Sequence, residues 1–186
     1  MKRVNSCKRL PRNIQIFLDF DDTLFPTSFA LKYGFDNLDK NFMQIFDESL
    51  SKFLSYLLTI SDHIDIITGS TKGWIFDVIN KFCPKSFDLI TRISIYYLGG
   101  KSTKYKTMYS IAKATRPELI ISIGDGINEK ESAIKLRNDN YKAITIKLPS
   151  LLKGSDLIRL HRELQFILLH VIFISCDVVI QSSELL

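Results

Sequence analysis

The sequence predicts an α/β domain of three layers, with helices on both faces of a parallel sheet of about five strands. Three observations lead there. Short Ile-rich runs recur along the chain, helical patterns separate them, and no repeat, Pro/Gly/Ser linker or low-complexity tract divides residues 14–165. Each run is four to nine residues long and nearly continuous in apolar character, as strands buried on both faces are. Strands that alternate with helices pair in parallel through right-handed crossovers. At 186 residues the chain is long enough for one such domain with a full core.

After a basic arm over residues 1–13, the first strand is Ile14–Leu18, and it runs into Asp19-Phe20-Asp21-Asp22-Thr23. The segment from Phe25 to Asn41 has room for a flap or a short loop, not a folded lid. A helix over 43–60 follows, and the aromatic residues Phe35, Phe42, Phe46, Phe53 and Tyr56 recur before and along it at mostly helical spacing, as core residues do. The second strand, Ile64–Ile67, ends in Thr68-Gly69-Ser70. The next helix spans 72–82, with Trp74, Ile75 and Val78 on its inward face, and a third strand falls within Leu89–Tyr97. A helix over 103–115 leads to the fourth strand, Leu119–Ile123, which ends in Gly124-Asp125-Gly126. Asn128 and Glu131 have the spacing of a capping box and start a helix over 128–138. The fifth strand is Ala143–Ile146. Residues 166–186 read as a hydrophobic C-terminal helix or tail that docks on the 14–165 domain. Its longest apolar runs, Phe166–Leu169 and Val171–Ile174, are four residues each, far short of the ~20 that a membrane span requires.

The formal net charge of +5 suggests a nucleic-acid partner until it is partitioned. Lys2, Arg3, Lys8, Arg9 and Arg12 carry all of it, and residues 14–186 hold 20 basic against 20 acidic side chains. Nucleic acid is therefore compatible with the chain but not indicated by it. Cys7, Cys83 and Cys176 have no metal or disulfide spacing, and none begins a cysteine-phosphatase loop. They read as free thiols of a reducing intracellular compartment, the cytoplasm. His63, His161 and His170 share no metal-ligand spacing either. Nothing in the sequence specifies an oligomeric state.

In an open parallel sheet the ligand lies beyond the carboxyl ends of the strands. Asp19, Asp21 and Asp22 end the first strand, Thr68 and Gly69 the second, and Asp125 the fourth. So many carboxylates repel one another unless a cation or protons neutralise them, and an all-oxygen donor set suits Mg²⁺.

The strand Ile16-Phe17-Leu18 followed by Asp19-Phe20-Asp21-Asp22-Thr23 resembles the first motif of the haloacid dehalogenase superfamily. Ile64-Asp65-Ile66-Ile67-Thr68-Gly69 resembles its second motif, and Ile120-Ile121-Ser122-Ile123-Gly124-Asp125 with Glu129 its fourth. The resemblance covers about residues 13–147. It implies a Rossmann-like domain without a full cap and a Mg²⁺-dependent phosphatase that works through an aspartyl-phosphate. Asp19 would be the nucleophile, and Asp21 the general acid and base. Asp19, the Asp21 carbonyl and Asp125 would hold Mg²⁺, and Glu129 would position water on it. Thr68 and the Gly69 N–H would bind the phosphoryl oxygens. The third motif is a lysine near the start of the 103–115 helix. Lys101, Lys104 and Lys106 flank that start, and three cations at a helix N-terminus, where the dipole disfavours them, suit an anion site. The expected residue is Lys106, with Lys104 as the alternative. The substrate would be a phosphorylated molecule, and an open site admits a macromolecular end. The competing readings are a catalytically inactive binding protein of this fold and a nucleic-acid-end phosphatase.

Overall fold

The Ile-rich runs form the middle of a parallel sheet. The computed structural model describes residues 11–100, 102–149, 154–174 and 179–181. Its elements in order are β1 (Ile14–Leu18), α1 (Thr27–Tyr33), a 3₁₀ turn (Phe35–Asn37), α2 (Lys40–Ile60), β2 (His63–Thr68), α3 (Trp74–Phe82) and α4 (Pro84–Ile90). They continue with β3 (Ser94–Tyr97), α5 (Lys104–Thr115), β4 (Leu119–Gly124), α6 (Ile127–Asn138), β5 (Ala143–Lys147), α7 (Gly154–Ile174) and β6 (Val179–Gln181). The strand order is β3-β2-β1-β4-β5-β6, with every pairing parallel. The five expected strands are all present, and the three-residue β6 extends one edge. This is the three-layer, Rossmann-like architecture without a cap domain that the sequence predicts.

Alternation along the strands sorts the core into two layers. Ile16 and Leu18 join the apolar side chains of α2, α3, α4 and α7 on one face. Phe17 turns to the other face with Met108 and Ala112 of α5 and Ala133 and Leu136 of α6. Asp39 caps α2 by accepting the Phe42 N–H at 2.7 Å. Its inward stripe of Met43, Phe46, Leu50, Phe53, Leu54 and Leu57 is buried.

Three expectations about element boundaries need correction. Leu89 and Ile90 belong to α4, which Pro84 opens at its first turn, so β3 begins only at Ser94. The α6 helix starts at Ile127 with Gly126 as its N-cap and no side-chain cap, so Asn128 and Glu131 form no capping box. The C-terminal helix starts at Gly154 rather than at 166. It belongs to the domain, because Leu157, Leu160, Leu164 and Leu168 are buried and the Tyr56 hydroxyl on α2 donates to the Gln165 carbonyl at 2.9 Å. Among the described residues no helix is long and apolar enough to cross a membrane. The calls on the arm over residues 1–10, Lys101, Cys7, Cys176 and the last residues of the chain lie outside the described residues.

The chain leaves β1 toward β2 and β3, then crosses back to β4 on the other side of β1. The point of reversal lies between the carboxyl ends of β1 and β4, where such sheets bind ligands.

Candidate active site

Asp19 is the first residue beyond β1, and its N–H donates to the Ile123 carbonyl of β4 at 3.0 Å. The two strand ends are thereby locked side by side. The chain then winds tightly around the Phe20 carbonyl, which accepts the N–H groups of Leu24 at 2.8 Å and Phe25 at 3.1 Å. Asp22 takes the left-handed conformation that this turn requires, with φ of 54°. Its carboxylate accepts the Ser28 N–H at 2.8 Å and also the Ser28 hydroxyl. Asp22 therefore anchors the start of α1. Thr23 braces the two acidic loops together, its hydroxyl accepting the Asp125 N–H at 3.2 Å.

The nucleophile candidate lies in an ion-pair triad. The Lys104 ammonium is 2.7 Å from Asp19 Oδ1 and also meets Glu129 Oε1, and all three side chains are about nine-tenths buried. The Asp19 carboxyl is raised to about 7, chiefly by burial and in part by Glu129, against the opposing pull of Lys104. Burial alone would push Lys104 down, but Asp19 and Glu129 outweigh it and hold the ammonium above the ordinary lysine range. One cation is thus shared by two buried carboxylates and stays charged.

The structure brings the alternative, Lys104, to Asp19 and not the expected Lys106. Thr103 caps α5 by accepting the Lys106 N–H at 3.2 Å, which makes Lys104 the first helical residue. Lys104 enters the site, whereas Lys106 is solvent-exposed.

Glu129 rests against two glycines. A Cβ at Gly124 or at Gly126 would overlap the Glu129 side chain, which explains the Gly-Asp-Gly pattern as a cradle for that carboxylate. Asp125 lies between the glycines, half-buried. Burial raises its carboxyl, as do Asp22 and Glu129, while Lys147 and Lys104 act in the opposite direction. Lys147, one residue beyond the predicted fifth strand, donates to the Asp125 and Leu148 carbonyls.

Asp21 is held from four sides. Thr27 Oγ1 donates to its Oδ1 at 2.6 Å, Trp74 Nε1 to the same oxygen at 3.2 Å, and Ser70 Oγ and Thr68 Oγ1 to its Oδ2. The predicted phosphate ligand Thr68 is fully buried and also accepts the Ser70 N–H at 3.0 Å, so in this arrangement its hydroxyl orients Asp21. Nothing stands within 4 Å of where a Gly69 side chain would begin, and that loop is open above the site. Thr27, Ser70, Trp74 and Lys147 are site residues that the motif reading missed. Ser70 stands in the Thr68-Gly69-Ser70 loop, and Trp74 packs against the core, as expected of the inward face of its helix, while its indole N–H reaches Asp21. Cys83 is buried, and burial raises its thiol far above the usual range, so it is no nucleophile.

Asp19, Asp125, Glu129 and the Asp21 carbonyl are a hard-oxygen set, and Glu129 Oε2 is buried with no hydrogen-bond partner. The donor chemistry suits Mg²⁺. Among the described residues, however, no three acidic, His or Cys side chains are drawn into one ready cluster, and Lys104 supplies the positive charge between Asp19 and Glu129. Comparisons with protein-family models, with curated proteins and with solved structures find no match to this chain.

Proposed function

We propose that this chain is a phosphoric monoester hydrolase of the haloacid dehalogenase type that uses Asp19 as nucleophile and depends on Mg²⁺. The observation that carries the proposal is the pairing of two differently housed carboxylates two residues apart. Asp19 is buried against a lysine at the β1/β4 reversal point, and Asp21 is oriented by four donors beside it. A binding module has no need of that division.

In the proposed reaction, an Asp19 carboxylate oxygen forms the new bond to phosphorus as the ester oxygen leaves. Asp21 gives its proton to that leaving oxygen, and as a carboxylate then takes a proton from the water that hydrolyses the acyl phosphate. The hydroxyls of Thr27, Thr68 and Ser70 can rotate to donate or accept, so the same partners serve both protonation states of Asp21. Lys104 holds Asp19 in place and faces the developing charge on the phosphoryl oxygens, which the Gly69 N–H also approaches. A bound Mg²⁺ would screen the repulsion between phosphate and carboxylate, held by Asp19, Asp125, Glu129 and the Asp21 carbonyl.

Hydrolysis of phenyl phosphate by the wild type and by Asp19→Asn, each with Mg²⁺ and with EDTA, tests the proposal. Metal-dependent turnover that disappears in Asp19→Asn is the expected result. Absence of metal-dependent turnover by the wild type across a panel of phosphate esters overturns it.

A further inference from the structure

Asn128 and Glu131 lie three residues apart in the first turns of α6, so they share one face. The capping role expected of them is vacant, since α6 begins without a side-chain cap. Both instead line a cavity of about 320 Å³ between the starts of α5 and α6. Both are solvent-exposed, and among the described residues neither side chain has a hydrogen-bond or ion-pair partner in the protein, so a ligand in this space can take the place of the water around a carboxylate and a carboxamide. The cavity reaches the candidate active site through two residues that line it, Gly69 and Lys104.

We infer that this cavity holds the alcohol part of the substrate, and that the alcohol is a small hydroxylated one of sugar or polyol size. The inference rests on the phosphatase reading for the position of the phosphoryl group. Size sets the first limit. The cavity corresponds to about ten waters of liquid volume, room for an alcohol of about a dozen heavy atoms and at the small end of ligand sites. Charge sets the second. Lys104 is neutralised by Asp19 and Glu129, and Glu131 and Lys135, both on the lining, carry opposite signs. The lining therefore selects neither a second anionic group nor a cation. Hydrogen bonding sets the third. Glu131 accepts from two neighbouring hydroxyls, Asn128 both donates and accepts, and Ser102 adds another hydroxyl. The C–H faces of a sugar also find partners, since Leu98 and Tyr105 supply apolar wall. Tyr105 is pinned there by its hydroxyl bond to Asp139 at 2.7 Å and by the Lys135 ammonium 5.8 Å above its ring.

The test compares glucose 6-phosphate and sorbitol 6-phosphate with phenyl phosphate and a phosphoserine peptide. The proteins are wild type, Asn128→Ala, Glu131→Ala and Glu131→Gln, with Lys113→Ala as a remote control. Asn128 and Glu131 are exposed, and the Gln variant retains the shape if the Ala variant loses stability. In parallel, calorimetry measures binding of glucose 6-phosphate to Asp19→Asn with and without Glu131→Ala. We expect the ratio of kcat/KM for the sugar phosphates over phenyl phosphate to fall about tenfold in each cavity variant. It should stay put in Lys113→Ala, and binding should weaken in step. If all esters turn over and the ratio does not move, or the peptide is preferred, the cavity assignment is overturned and the phosphatase reading stands. If no ester turns over but Glu131→Ala still weakens binding, the cavity assignment stands and the phosphatase reading falls. Neither turnover nor binding overturns both.

Discussion

Replacing Lys104 with Met separates the two lysines that the sequence could not. Lys104 Nζ is 2.7 Å from Asp19 Oδ1 and contacts Glu129 Oε1, with a tenth of the side chain exposed. Methionine keeps most of the volume and removes the charge, which leaves two buried carboxylates without their cation. Removing one partner of a buried pair costs about 3–5 kcal/mol, a large part of the 5–15 kcal/mol typical of a domain. The penalty depends on pH with a definite sign. Asp19 is already raised to about 7 by burial, and losing Lys104 raises it further. A group with a raised folded pKa stabilises at low pH and loses that contribution as pH rises through the folded value. The deficit of Lys104→Met should therefore be largest above pH 7 and shrink toward pH 5. Lys106→Met, on an exposed side chain, should stay within about 0.5 kcal/mol of wild type at every pH. Turnover of phenyl phosphate should fall about 10²–10³-fold in the first variant, as for loss of one donor to a developing oxyanion, and little in the second. Urea unfolding at pH 5 to 8 reads the stability, with Trp74, the one tryptophan in the chain, as fluorophore. Equal losses in the two variants, or a Lys104→Met deficit that does not change with pH, would refute the assignment.

Other consequences follow from individual groups. His161 is fully buried, stacked 5.1 Å from Phe53 and in contact with the Thr23 carbonyl at 3.4 Å, and burial lowers it from 6.5 to about 4. Its depressed value means that the unfolded chain binds the proton more readily, so stability present above pH 6.5 is lost as pH falls toward 4. That loss amounts to about 3 kcal/mol, and thermal unfolding of His161→Phe should show a flatter acid limb. Gly126→Ala should displace Glu129 and destabilise the chain by about 1–3 kcal/mol. Gly69→Ala, with open space at its Cβ, should unfold within about 0.5 kcal/mol of wild type. Trp74→Phe removes one donor from Asp21 and should lower kcat for phenyl phosphate about tenfold with little change in KM, as steady-state kinetics will read.

The strands were the most legible part of the molecule, and the reason is burial. Ile14–Leu18, Leu119–Ile123 and Ala143–Ile146 are almost wholly enclosed, and a strand covered on both faces shows itself as a continuous apolar run. The loops at the carboxyl ends of the strands were legible as a consequence, since Asp19 follows Ile14–Leu18, Thr68 follows Ile64–Ile67 and Gly124-Asp125 follows Leu119–Ile123. The parts that were not legible depend on helix phase. An α-helix turns by about 100° per residue, so Lys104 and Lys106 point about 160° apart, and only the starting residue decides which one faces Asp19. That start is set by the Thr103 hydroxyl accepting the Lys106 N–H, one contact among several that Ser102, Thr103 and their neighbours could have made. Asn128 and Glu131 failed for the same reason. With the helix starting at Ile127 and not after Asn128, both leave the cap and turn to the cavity. Residues able to satisfy the free N–H groups of a helix start are the ones able to bind a ligand there. Around a site built from helix N-termini, then, a capping pattern and a binding pattern look alike in sequence, and the fold decides between them by the register of a single turn.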